Sequence, residues 1–326
     1  MIAHEVFSPI AGHLPPLTDL TLFGIGEDDN SNESEDFHIK LFSDSPALTS
    51  ISYEAFLLTP RSPLHWGQLR SIEAICNHQV FRVAPLWTNI ERFAFMCCNN
   101  EDGHAGDQLA IPNVMHLSIA AEEQCQANFA FRYLTLQQSS SLEIFCIGLF
   151  LTWRTWDERH ITDFFTRSAC TVTSLSLKRV SITDEEFLRF FQLMPMLKSL
   201  QLEEKPDKPL AYQPRTITRR FLQRLSIENQ DALPSFLPKL TDIGLIIYDE
   251  ELAEEALPTA LLSRRISNNG DGSKQSVDCI KSIDIVFIAE CKVALEGLEL
   301  KLQPLRDNGV WVNLRVAPWA ALQDYW

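Results

Sequence analysis

Apolar residues recur along this chain in a spacing that mixes two periods. Thr171 to Glu204 shows it most completely: Val172-x-x-Leu175-x-Leu177 and Leu197-x-x-Leu200-x-Leu202 each place two leucines two residues apart, on one face of a strand. Between them Phe187, Leu188, Phe191 and Met194 recur at helical period. Thr183 and Glu186 stand at capping-box spacing, and Ile182 and Phe187 at staple spacing. Pro195 bars the helix from continuing past Met194. The predicted order is strand, helix, strand.

The strand pattern, with Ile, Val, Phe or another apolar or aromatic residue allowed for Leu, starts at Leu17, Leu48, Leu69, Ile90, Val114, Leu142, Val172, Leu197, Leu240, Ile280 and Trp311. Successive starts are 21 to 43 residues apart. In the Leu69 motif Ala74 takes a core position. Phe131 (FRYLTL) and Leu222 (LQRLSI) fit the pattern too, but lie 11 and 18 residues before the next start, too close for a helical return, and are not read as strands. Ile217, Phe221 and Leu225 instead line one side of a helix, with Arg219, Arg220, Gln223 and Arg224 on the other. Thr155 and Glu158 form a second capping box ahead of Ile161, Phe164 and Phe165. Tyr248 to Arg265 has acids first and Arg264-Arg265 last, matching the helix dipole, with a split at Pro258. Ala289 to Leu302 reads as a final helix before an Asp307-Asn308-Gly309 turn.

Strand-and-helix units of this length are the signature of leucine-rich repeats. The expected fold is α/β: one leucine-rich repeat solenoid over residues 1–326, about eleven irregular repeats in a right-handed superhelix. Parallel strands should line a concave face and helices a convex one. Loops are expected at 26–36, 204–215 and 267–276. Residues between the motif hydrophobics should point to concave solvent: Asp19 and Thr21; Ser50, Ser52 and Glu54; Arg92; His116 and Ser118; Ser174, Ser176 and Lys178; Ser199, Gln201 and Glu203; Asp242; Ser282 and Asp284; Asn313 and Arg315. Small, polar and of mixed charge, they suit a protein or peptide. Ser174, Ser176, Lys178, Ser199, Gln201, Glu203 and Asp242, where the strands read most clearly, are the expected partner-binding residues.

Charge narrows the partner. Lys and Arg number 28 against 43 Asp and Glu, a formal charge of −15, which disfavours nucleic acid. Much of the excess is local, in Glu27 to Asp36 and in Asp249 to Glu255. The acidic loop with Ser31, Ser34 and the Asn32-Glu33-Ser34 sequon reads as a solvated linker. The longest apolar runs, such as Ile144 to Trp153, are too short for a bilayer. Eight cysteines without a C-x-x-C pair, and a start without a secretory pattern, lead to the expectation of reduced thiols and an intracellular protein of cytoplasm or nucleus.

Catalytic chemistry is not expected. No G-x-S-x-G, phosphate-loop or dinucleotide fingerprint occurs, and His4-Glu5 lacks the second histidine of a zinc helix. Cys97-Cys98 with His104 nearby is the nearest to a nucleophile and base, but no third group orients them, so packing roles are expected. The histidines show no metal-ligand spacing, so neither metal nor cofactor is expected. His116 reads as a solvated position. Trp153, Trp156, Trp311, Trp319 and Trp326 are expected to fill or cap the core.

The segment RSACTVTSLSLKRVSITDEEFLRFFQLMPMLKSLQLEE, from Arg167, resembles the leucine-rich repeat region of fungal F-box proteins. So do ITRRFLQRLSIENQDALPSFLPKLTDIGL, from Ile217, and LRDNGVWVNLRV at 305–316, in the same order. The resemblance implies the substrate-recognition part of a cullin-RING ubiquitin ligase subunit. In that family an N-terminal F-box docks the ligase adaptor and the repeats hold the substrate. The first motif here begins at Leu17, which leaves no room for an F-box, so the chain is expected to be either a truncated member or the binding module alone, with a scaffold of no ubiquitin role as the alternative and the adaptor a partner only where an F-box is encoded upstream.

Overall fold

The computed structural model describes residues 17–23, 45–54, 64–76, 83–97, 108–122, 126–146, 157–180, 182–204, 215–227, 236–248, 255–265, 277–288 and 295–318. The chain is an α/β protein with a parallel sheet of eleven strands and, among the described residues, six α-helices. It divides into two compact units, residues 1–140 with 147–170, and 141–146 with 171–326. Expected loops 26–36 and 267–276, and most of 204–215, lie outside the described residues, as do Cys98, His104, Thr155 and every tryptophan expected in the core beyond Trp311.

In the first unit β1 (Asp19–Phe23), β2 (Ser50–Glu54), β3 (Ser71–Cys76), β4 (Arg92–Cys97) and β6 (His116–Ala121) pair in parallel, each with its predecessor in this series. Leu20, Ile51, Ile72, Phe93 and Leu117 occupy one rung and are buried. Ala74 shares the next with Tyr53, Phe95 and Ile119, so the Leu69 motif is a strand despite its small residue. Two-residue strands β5 (Leu109–Ala110) and β7 (Leu134–Thr135) pair apart from this ladder. FRYLTL is therefore the end of helix α1 (Ala127–Tyr133) followed by that bridge. Helix α2 (Glu158–Ser168) buries Ile161, Phe164 and Phe165 as expected, but its cap is Asp157, whose Oδ1 accepts from Arg159 N at 2.9 Å, rather than Thr155.

In the second unit β8 (Ser141–Cys146), β9 (Ser174–Lys178), β10 (Ser199–Glu203), β11 (Asp242–Ile247), β12 (Ser282–Ile288) and β13 (Trp311–Ala317) pair in parallel in chain order. Helices α3 (Asp184–Gln192), α4 (Arg219–Leu225), α5 (Ala256–Ser263) and α6 (Leu295–Asp307) belong to the connections. Thr183 caps α3 with both bonds of the box, because Glu186 returns its carboxylate to the Thr183 N–H at 2.9 Å. Phe187, Phe191, Phe221 and Phe236 pack ring to ring, with Phe187 and Phe221 centroids 5.1 Å apart and Phe191 and Phe236 5.6 Å apart. Each such ring withdrawn from water contributes about 1.5–3 kcal/mol. Pro258 sits in the first turn of α5, where its missing N–H costs nothing. Segments 249–254 and 289–294 of the two expected long helices are outside the described residues.

Two motifs are out of register with their sequence reading. Leu142 pairs Leu175 and Ile144 pairs Leu177, so β8 presents Leu142, Ile144 and Cys146 to the core, and Phe145 turns to the other face. The motif starts at Ser139, a buried serine in the place Val172 fills one strand later. Trp311 likewise pairs Ser282, so Val312 and Leu314 take the rungs of Ile283 and Ile285. The tryptophan expected in the core is 57% exposed on the polar face.

Candidate interaction surface

A repeated main-chain device sets the register of the polar face. In the first unit the carbonyl of Thr18 accepts from the amides of Thr49 and Ser50, that of Thr49 from Arg70 and Ser71, and that of Arg70 from Glu91 and Arg92. In the second unit Thr173 accepts from Lys198 and Ser199, and Lys198 from Thr241 and Asp242. One carbonyl per strand thus fixes where the next begins. The side chain that follows is placed on one row.

The first row in the second unit runs Ser141, Ser174, Ser199, Asp242, Ser282, Trp311. The second runs Glu143, Ser176, Gln201, Gly244, Asp284, Asn313. Gln201 is exposed, and Ser174, Ser176, Ser199 and Asp242 are half-buried. The Asp284 carboxylate accepts from Asn313 Nδ2 at 2.8 Å and has Arg315 Nη2 at 3.8 Å. Gly244 leaves a gap, since a Cβ there would meet nothing nearer than Gln201 Cγ at 3.5 Å. In the first unit the corresponding rows are Ser50, Ser71, Arg92 and His116, then Ser52, Glu73, Ala94 and Ser118. Arg92 and His116 are exposed there, as expected.

The third row departs from the expectation of solvent. It runs Phe145, Lys178, Glu203, Ile246, Val286, Arg315. Lys178 is 9% exposed and Glu203 is wholly buried. Ile246, Val286 and Ile288 form an apolar cluster against which Tyr248 and Ala317 pack. The sequence carries the signal for it: Leu245-Ile246-Ile247 and Ile285-Val286-Phe287-Ile288 are apolar without alternation, the mark of strands covered on both faces. Lys178 Nζ pairs with Glu143 Oε1, and Arg179 Nε with Glu203 Oε1 at 2.9 Å. Burial pushes the Glu203 carboxyl above the usual carboxylate range, and the Arg179 hydrogen bond only partly opposes it. Neighbouring Glu204 is used in turn structure, accepting from Ile217 N at 3.3 Å and Tyr248 N at 3.0 Å. Of the seven expected binding residues, Ser174, Ser176, Ser199, Gln201 and Asp242 share the first two rows, Gln201 exposed and the others half-buried, while Lys178 and Glu203 in the third row are buried.

Among the described residues no group of three His, Cys, Asp or Glu side chains could hold a metal ion, and no helix is long and apolar enough to cross a membrane. Cys170 and Cys279 are free thiols, and burial raises the Cys170 thiol above its ordinary value. A thiol raised in this way is a weaker source of thiolate. No family model matches the chain, and no curated protein matches it in sequence.

Proposed function

We propose that this chain is a leucine-rich repeat solenoid that binds a protein partner across its concave sheet face and performs no catalysis. The observation that carries this reading is the in-register face of small polar side chains, Ser174, Ser199, Asp242 and Ser282 on four consecutive parallel strands. Short side chains in register leave room for a partner's longer ones, and broad faces of this kind are what stacked repeats offer. The ubiquitin-ligase role rests on the resemblance of the blocks from Arg167, Ile217 and Leu305 to fungal F-box proteins. In that reading the chain selects a substrate inside the cell, in cytoplasm or nucleus, for ubiquitination.

Affinity capture of the tagged chain from its native cells, read by mass spectrometry, tests both parts. A partner lost on Ser199→Arg with Gln201→Arg, but kept on Glu185→Gln away from the face, is the expected result. Recovery of cullin-RING subunits, or stabilisation of the captured partner when the ligase is inhibited, supports the ligase role. Partner capture without either outcome, when the chain carries any sequence encoded upstream of it, leaves a scaffold with no ubiquitin function. Capture indifferent to the face substitutions overturns the face itself.

A further inference from the structure

Resting on the reading that the sheet face binds protein, one corner of the second unit has a chemistry of its own. Asp242 and Ser282 are neighbours in the first row, and Ser282 is followed there by Trp311. Asp284 lies one row along, between Gly244 and Asn313. Two aspartates therefore stand on adjacent strands two residues out of step, their backbone positions a diagonal of about 8 Å apart. Ser282 between them is short, and Gly244 beside Asp284 has no side chain. Trp311 exposes 57% of its surface at the end of the row. The Asn313 amide donates to Asp284 Oδ1 and holds that carboxylate in one orientation. Lys178 pairs with Glu143, Arg179 pairs with Glu203, and Arg315 Nη2 stands 3.8 Å from the far oxygen of Asp284. The Asp242 carboxylate takes its own neighbour's hydroxyl, from Thr241, and has no cation bonded to it among the described residues.

We infer that this corner receives a lysine or arginine side chain of a basic partner segment, seated over Ser282 between Asp242 and Asp284 and against the Trp311 indole. Each part has a physical reason. Two carboxylates at diagonal spacing can share one ammonium or accept both edges of one guanidinium. An aromatic face beside them adds cation–π attraction and covers the apolar stem. The chain's charge of −15 steers such a segment toward the face and repels acidic competitors. An exposed tryptophan ringed by polar groups is the kind of residue on which binding energy concentrates.

Selection of random twelve-residue peptides displayed on phage, against the immobilised full chain, tests the inference. Enrichment of peptides carrying Lys or Arg is expected. A synthesised winner should bind about tenfold more weakly to Asp242→Asn and to Asp284→Asn, both close in shape to the native residue, and more weakly to Trp311→Ala. Its affinity should fall with added salt and stay unchanged on Glu185→Gln. Thermal melts of the two Asn variants matching the parent separate lost contacts from lost folding. No enrichment, winners without basic residues, or winners indifferent to both Asn substitutions overturn the inference. Neutral winners displaced by Ser199→Arg would leave the face reading standing while this inference falls. Winners indifferent to Ser199→Arg as well would bring both down.

Discussion

Glu203 stands opposite Lys178 in the β9–β10 register, yet its carboxylate bonds Arg179, one residue further along, with Nε 2.9 Å from Oε1. Arg179 reaches it from a left-handed backbone position, φ 56°, where its own N–H donates to the Glu203 carbonyl at 2.9 Å. Side chain and main chain of Glu203 together hold the turn that ends β9. The Arg179 guanidinium carbon also lies 5.2 Å from the centre of the Phe145 ring.

This carboxylate gives stability a pH dependence. Its folded-state pKa is raised by burial, so the folded chain holds that proton more tightly than the unfolded one. The group's favourable contribution is complete below the ordinary carboxylate pKa and is lost as pH rises through the raised one. Relative to Glu203→Gln, the parent should lose stability over that window. Denaturant melts of both proteins at a series of pH values read the difference directly. A difference that stays flat with pH would show that Glu203 does not titrate differently on folding. Arg179→Met, which leaves the buried carboxylate without its guanidinium, should destabilise by about 3–5 kcal/mol at neutral pH.

The alternation on β10 has a simpler check. Leu200 is buried on the core rung between Leu175 and Ile243, and Gln201 is exposed. Leu200→Asp places a charge in an apolar layer and should cost on the order of 3 kcal/mol or more, or prevent folding. Gln201→Ala should change stability by about 0.5 kcal/mol or less. Equal losses in denaturant melts would contradict the rung assignment.

Elements with doubled signals were legible in the sequence. Around α3 the capping box, the phenylalanine stripe and Pro195 all agree, and both flanking strands carry leucines on alternate positions. Register was lost where one apolar residue imitates another. Phe145 is as apolar as Ile144, and Ser139 hides the true start of its motif, so the pattern slid by three residues. Trp311 misled for the same reason, an apolar residue that faces solvent. In the sequence Lys178 and Glu203 read as solvated because charge is usually exposed. Their burial depends on Arg179, Glu143 and the apolar ends of β11 and β12, which are partners brought in by the fold and not by neighbours in sequence. Arg264 shows the same limit. It fits the negative, C-terminal end of a helix dipole, but the structure buries it completely.

The buried Arg264 joins three separate stretches of chain. Its Nε donates to the Leu225 carbonyl at 2.8 Å, Nη1 to Leu237 at 2.9 Å, and Nη2 to Phe236. Burial lowers its pKa to about 10, so it stays charged at neutral pH. Next to it, Ser263 Oγ accepts from Ile227 N at 3.1 Å. The first unit repeats the arrangement at the end of α2. There Arg167 donates to the Phe131 and Leu134 carbonyls at 2.7 and 2.9 Å, and Ser168 Oγ accepts from Leu136 N at 3.1 Å. Arg264→Met removes every donor of the fork and should cost on the order of 3 kcal/mol or more, since bonds to a charged group contribute about 1.5–3 kcal/mol each. Arg264→Lys should recover little of it, because an ammonium cannot span the three carbonyls. Exposed Arg265→Met should stay within about 0.5 kcal/mol. A mild loss at Arg264 in the same melts would mean that those carbonyls find other donors.

A ladder of side-chain amides ties successive turns of the first unit, each amide standing just before a strand motif. Gln68 Nε2 donates to the Ser45 carbonyl at 2.8 Å, Asn89 Nδ2 to Gly67, and Asn113 Nδ2 to Thr88 at 2.6 Å. Each bond reaches back to the preceding turn, so it connects stretches that the strand ladder joins only on the other side of Leu69, Ile90 and Val114. Asn113 is the one to test, because Val114 beside it is fully buried and any shift of the turn must disturb the core. Asn113→Leu keeps the approximate volume and removes the donor, at an expected cost of about 1 kcal/mol. Asn113→Asp keeps the shape and sets a carboxylate against the Thr88 carbonyl, so the loss should be greater at neutral pH and shrink toward the Leu value in acid, where the protonated group can donate again. Melts of the three proteins at neutral and acid pH resolve these outcomes. Equal stability of Asn113→Asp and the parent at neutral pH would show that the amide, and the ladder with it, does not contribute to holding the turns together.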